Sequence, residues 1–133
     1  MIVKTKLYDI ADIRPGHPFR GTITSVVHAS THVVQVRDID NYNEINAEQL
    51  ITTELMGRKQ PDWLLAGDIL FVAKGAKHFA TYVRQLPENS VCSPHFFLVR
   101  LHQAQKKHVL PEFISWQLNQ LPAQRYLKNS AEG

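Results

Sequence analysis

A mixed α+β domain is the fold class this sequence predicts, and three observations predict it. Residues 69–73 form an unbroken apolar run of strand length, and at Pro111 the hydrophobic period changes to one that suits a helix. The 133 residues also show no internal repeat, low-complexity tract or linker that would divide them. With 44% hydrophobic and 20% charged residues, the composition is that of a globular chain with one core. The expectation is a single domain over residues 1–133: a small twisted, mostly antiparallel β-sheet with short flanking helices.

The elements follow in chain order. In Leu7-Tyr8-Asp9-Ile10-Ala11-Asp12-Ile13, the spacing of Leu7, Ile10, Ala11 and Ile13 predicts a short helix, stopped by Pro15-Gly16. Residues 21–27 and 32–37 are β-branched runs around Ala29-Ser30-Thr31 and predict a hairpin. The polar, acidic residues 38–46 predict a surface loop, and residues 50–55 suit strand and helix equally. At Gly67-Asp68 a tight turn is expected, with Gly67 free to take positive φ and Asp68 able to accept from the turning backbone.

The run 69–73 then predicts a strand buried on both faces. Lys74-Gly75-Ala76-Lys77-His78 leaves it as a loop, residues 79–83 and 95–101 predict further strands, and Pro87-Glu88-Asn89-Ser90 predicts a turn between them. Pro111 suits the first helical turn because its missing N–H would be unpaired there, and Glu112 complements the positive end of the helix dipole. Phe113, Ile114, Trp116, Leu118 and Leu121 recur at helical spacing, and Pro122 starts a second short helical piece. Phe71, Phe96, Phe97, Phe113 and Trp116 are expected in the core, with Trp63 the aromatic expected outside it.

Composition also narrows the function. Cys92 is the lone cysteine, so an intramolecular disulfide and a multi-thiolate zinc site are both excluded. No segment approaches the ~18 consecutive apolar residues of a membrane span, and a cytoplasmic protein without a membrane partner is expected. A nucleophile elbow, a phosphate-cradling glycine loop and a nuclease carboxylate constellation are all missing, so neither an enzyme nor a bound cofactor is expected. His28 and His32 are four apart, but at the turn of a β-hairpin that spacing makes no metal site.

The net charge of +3 is mild, but its distribution is not. Residues 1–68 hold seven Lys or Arg against nine Asp or Glu, whereas residues 69–111 hold Lys74, Lys77, Arg84, Arg100, Lys106 and Lys107 against Glu88 alone. Such a stretch is where a polyanion would be drawn. In the loop after the buried strand, Gly75 lets the backbone come close to a ligand while Lys74 and Lys77, with His78, can meet phosphates. Phosphate contacts only position a duplex; base readout needs other donors. Arg37, Arg84 and Arg100 are of the type that bonds guanine edges bidentately, and Gln35 of the type that pairs with adenine.

The two strongest segments, Gly67-Asp68-Ile69-Leu70-Phe71-Val72-Ala73-Lys74-Gly75 and Leu110-Pro111-Glu112-Phe113-Ile114-Ser115-Trp116-Gln117-Leu118-Asn119, resemble the target recognition domain of type I restriction-modification specificity subunits. The likeness extends to residues 7–13 with Gly16, to Phe19-Arg20-Gly21, to Gln35-Val36-Arg37-Asp38-Ile39, and to Gln124-Arg125-Tyr126-Leu127 with Gly133. The resemblance implies a non-catalytic domain that reads half of a split duplex-DNA target and positions a methyltransferase (modification) subunit, with a restriction subunit and a homodimer as further possible associations. That methyltransferase would carry the S-adenosylmethionine and the base-flipping chemistry. Family members continue into a conserved region and a long spacer helix, whereas this sequence ends at Gly133. The other function class is a protein-interaction module that docks on such subunits without reading DNA; an exposed Trp63 or Trp116 would favour it.

Overall fold

A computed structural model of the protein describes residues 10–56, 60–72, 78–103 and 110–120. These residues form a small mixed α+β domain with seven strands: β1 (Ala11–Pro15), β2 (Thr31–Val34), β3 (Ile51–Thr53), β4 (Ile69–Val72), β5 (Phe79–Tyr82), β6 (Ser90–Cys92) and β7 (Phe96–Leu101). Two 3-10 turns, Val36–Asp38 and Ala47–Gln49, separate β2 from β3, and helix α1 spans Pro111–Leu118. The strands build two sheets rather than the one expected. One is antiparallel, in the order β1-β7-β4-β5; the other is mixed, in the order β3-β2-β6, with β2 and β6 parallel.

The four-stranded sheet is the middle of three layers, and the side-chain alternation of its strands shows why. On β4, Leu70 and Val72 join Leu98 and Phe96 of β7 and Val34 and Cys92 of the other sheet in one buried cluster. Ile69, on the opposite face of the pleat, joins Val99, Leu101, Ala11 and Ala80 in a second cluster, against which Phe71 and the helix residues Ile114 and Leu118 pack. Successive side chains of a strand point to opposite faces, so a strand with a sheet below and a helix above must be apolar throughout. That is the reason for the unbroken run Ile69-Leu70-Phe71-Val72. The turn before it forms as expected: Gly67 takes φ 96°, and the Asp68 carboxylate accepts the Leu65 N–H at 2.8 Å.

Three segments depart from expectation. Of the helix expected over residues 7–13, residues 7–9 lie outside the described residues and Ile10 is helical, but residues 11–15 are strand β1; Ala11 lies opposite Leu101 and Pro15 opposite Phe97. Pairing with β7 outweighs the weak helical spacing, and Pro15 is tolerated because β1 is an edge strand. Gly16 then passes against the β6–β7 turn, its N–H donating to the Phe96 carbonyl at 3.0 Å, where a Cβ would lie 1.9 Å from the Ser93 carbonyl oxygen. It is a glycine of close approach.

The second departure is the hairpin across residues 21–37, which does not form. β2 pairs with β3 and β6, and residues 24–26 lie beside β3 instead: the Val26 N–H donates to the Thr52 carbonyl, and the Thr53 hydroxyl donates to the Thr24 carbonyl. Third, the segment after β2 is more than a polar loop. Asp38 is buried, accepting the Gln35 N–H at 2.7 Å and the Gln49 amide at 3.2 Å, while Ile39 and Ile45 bridge and turn onto the core.

Among the aromatics, Phe96 is buried and Phe71 partly so, as a core requires, but Phe97 (41% exposed), Phe113 (52%) and Trp116 (57%) are not core residues. Helical spacing alone could not say which face of α1 meets the sheet; Ile114, Ser115 and Leu118 face inward, and Phe113 stacks on Trp116 outside, with ring centroids 5.8 Å apart. Among the described residues no helix is long and apolar enough to cross a membrane.

Candidate nucleic-acid interface

The two segments that carry the family resemblance meet in space. Asn119, which caps α1, turns its side-chain amide onto the free edge of β5: the Ala80 N–H donates to Asn119 Oδ1 at 2.8 Å, and Asn119 Nδ2 donates to the Ala80 carbonyl at 2.7 Å. The amide thus stands where a neighbouring strand's backbone would stand and closes part of that edge. Below it, Ile114 and Leu118 press on the cluster that holds Ile69 and Phe71. Strand β4, strand β5 and helix α1 therefore act as one support for the connection between Val72 and Phe79, whose ends are paired across the hairpin.

That connection holds three of the eight candidate residues, Lys74, Gly75 and Lys77, which lie outside the described residues. His78, at its end, is described: its ring stacks on Phe71 with centroids 6.3 Å apart and planes 14° apart, and its buried Nδ1 has no hydrogen-bond partner among the described residues. A histidine half-sunk on a core phenylalanine is positioned by packing.

The other four differ in what they have left to offer. Arg100 donates from Nε to Asp68 Oδ1 and from Nη2 to Asp68 Oδ2, both at 2.8 Å, and from Nη2 to the Trp63 carbonyl at 2.9 Å. The bonds to Asp68 hold its pKa above the ordinary guanidinium value, and Asp68 itself is only 2% exposed. This fork is spent on fastening β7 to the Gly67-Asp68 turn. Arg84 is exposed but flanked: Nη1 lies 3.1 Å from Glu112, Nε lies 3.5 Å from Glu44, and the guanidinium sits 5.2 Å from the Tyr82 ring centroid. Its hydrogen bond to Glu112, then the charge of Glu44, raise its pKa. Gln35 opens the 3-10 turn, and its buried side-chain Oε1 has no hydrogen-bond partner among the described residues. Arg37, on the same turn, is exposed and has no carboxylate partner among the described residues.

Arg20 is a residue of the same kind that the charge distribution does not single out. Arg20 is exposed and, like Arg37, has no carboxylate partner among the described residues, whereas Arg14 is held by Asp62 at 2.6 Å. The signal in the sequence was the absence of Asp or Glu for several positions on either side of it. Sorting the described arginines by their partners separates Arg20 and Arg37, without a carboxylate, from Arg14, Arg84 and Arg100, which hold the fold or its loops.

A second region brings a thiol, an imidazole and a carboxylate to one cavity of about 230 Å³, lined among others by His17, Asp62 and Cys92. Its chemistry is wrong for a nucleophile. Burial pushes the Cys92 thiol up to about 12, so no thiolate is present near neutrality, and Asp62 is already engaged by Arg14. No cluster of three or more metal-ligating side chains occurs among the described residues. His28 is at the surface in a left-handed conformation, φ 64°, while His32 lies within β2. Compared with known proteins, the chain matches no family model and no curated protein.

Proposed function

We propose that this chain is a non-catalytic reader of duplex DNA, a target recognition domain of a type I specificity subunit or a free-standing relative of one. The observation that carries the proposal is the union of the two family-like segments in a single support, with Asn119 clamped to β5 and the Lys74- and Lys77-bearing connection leaving that support. Arg20 and Arg37, free of carboxylates, are the described residues with guanidinium groups available for phosphate or base contacts. In such a protein a methyltransferase subunit supplies the chemistry, and a restriction subunit or a second copy completes the assembly.

A lone module buries a small interface, so binding is expected to be weak and strongly salt-dependent. Anisotropy of a labelled random duplex, followed across salt concentration, tests this. The Lys74→Ala/Lys77→Ala double variant is expected to bind more weakly and to lose about 2 from the slope of log K against log salt. No binding by the wild type at low salt, or a variant with an unchanged slope, contradicts the proposal.

The second reading, a protein-docking module, has its own observation: Leu110 at 70% exposure joins Phe113 and Trp116 in leaving an apolar side of α1 open. Failure to bind duplex DNA in the same assay would favour it.

A further inference from the structure

We infer that the cleft between the loop around Tyr42, the free edge of β5 and helix α1 is a docking site for an extended polypeptide carrying a basic side chain, which adds to β5 beside Tyr82. The inference does not rest on the DNA reading.

The first observation is a strand edge that is only half closed. β5 is the last strand of its sheet. The Ala80 N–H and C=O point away from β4, because both are bonded to Asn119. Backbone direction alternates along a strand, and Val83, three residues on, is bonded back toward the Gly67-Asp68 turn. Tyr82 and Arg84 must therefore also point outward. Among the described residues none plays for them the part that Asn119 plays for Ala80, and none hydrogen-bonds their backbone groups. An exposed row of this kind accepts a further strand.

The second observation is the cleft that this edge faces, about 450 Å³ in volume and lined by Tyr42, Glu44, Tyr82, Arg84, Glu112 and Trp116 among others. The Thr81 hydroxyl, bonded to the Asn43 carbonyl at 2.5 Å, ties the loop wall to the strand. Glu44 and Glu112 outnumber Arg84, and their side chains are 47% and 55% exposed. Two carboxylates repel a phosphate backbone and attract an ammonium or guanidinium group. The aromatic rings add faces on which a cation can rest, as Arg84 already rests by Tyr82. Arg84 thus occupies, from within, the place that an incoming basic side chain would take.

Amide spectra of the labelled protein titrated with acetylated, amidated peptides test the inference. A peptide of alternating threonine and arginine is expected to shift the Tyr82 and Arg84 amide signals, and its threonine–glutamate counterpart to leave them in place. The Glu44→Gln/Glu112→Gln variant, altered only at side chains about half exposed, is expected to weaken binding about fivefold. Arg84→Ala, which removes the internal competitor, is expected to strengthen it. Backbone N-methylation of the arginine peptide is expected to abolish the shifts, because strand addition needs the peptide's own N–H groups. Silence at Tyr82 and Arg84, equal response to both peptides, or full binding by the N-methylated peptide would overturn the inference. So would movement of these amides by a random DNA duplex and not by peptide, which would assign the cleft to nucleic acid.

Discussion

Asn119 shows what a single side chain does here. Its two hydrogen bonds replace a strand that the sheet lacks, and losing them leaves the Ala80 N–H and C=O without these partners at the edge of β5. Asn119→Ala is expected to lower stability by roughly 1–3 kcal/mol, read as a shift of the urea midpoint with unchanged slope. Asn119→Asp keeps an acceptor for the Ala80 N–H but loses the donor to its carbonyl, so it is expected to recover only part of the loss. His17 gives a pH signature. Burial lowers its pKa below 6.5, against the opposing pull of Asp62, so the folded protein holds the neutral ring more tightly than the unfolded chain does. Its contribution is fully present above pH 6.5 and is lost as pH falls through the folded value. Urea midpoints measured at neutral and mildly acidic pH are expected to fall on the acid side in the wild type and to fall less in His17→Asn. Neither residue's role could be read locally: the Asn119 partner is 39 positions away, and nothing in the sequence says that His17 lies beside Asp62.

At the scale of elements, what was legible was encoded locally. β4, β5 and β7 are short apolar or β-branched runs bounded by turn residues, and α1 announces itself through Pro111 and Glu112. What was not legible depends on distant partners. β6 is only Ser90-Val91-Cys92, paired in parallel with β2 from far along the chain, and β1 exists because β7 offers it an edge. The face of α1 is the same kind of problem, and it yields a prediction. Ile114 packs on the sheet while Trp116 lies outside, so Ile114→Ala is expected to cost about 2 kcal/mol or more and Trp116→Ala under about 1 kcal/mol. Equal losses in chemical denaturation would mean that the helix face has been misassigned.

For the whole molecule, the charge skew of the sequence resolves into separate uses. Arg100 and Arg84 counted toward the basic stretch of residues 69–111, yet one fastens β7 to a turn and the other lies between two glutamates. A count of charges cannot see partners. What the fold leaves for a polyanion among the described residues is Arg20 and Arg37, while the β5 cleft with its paired glutamates suits a cation. The central claim is that the chain reads sequence, and selection of the purified protein against a randomised duplex pool at physiological salt tests it most directly. Successive rounds are expected to enrich one short motif whose scrambled version binds at least tenfold more weakly, ~1.4 kcal/mol in discrimination. A pool that binds without enrichment, or does not bind at all, would contradict it.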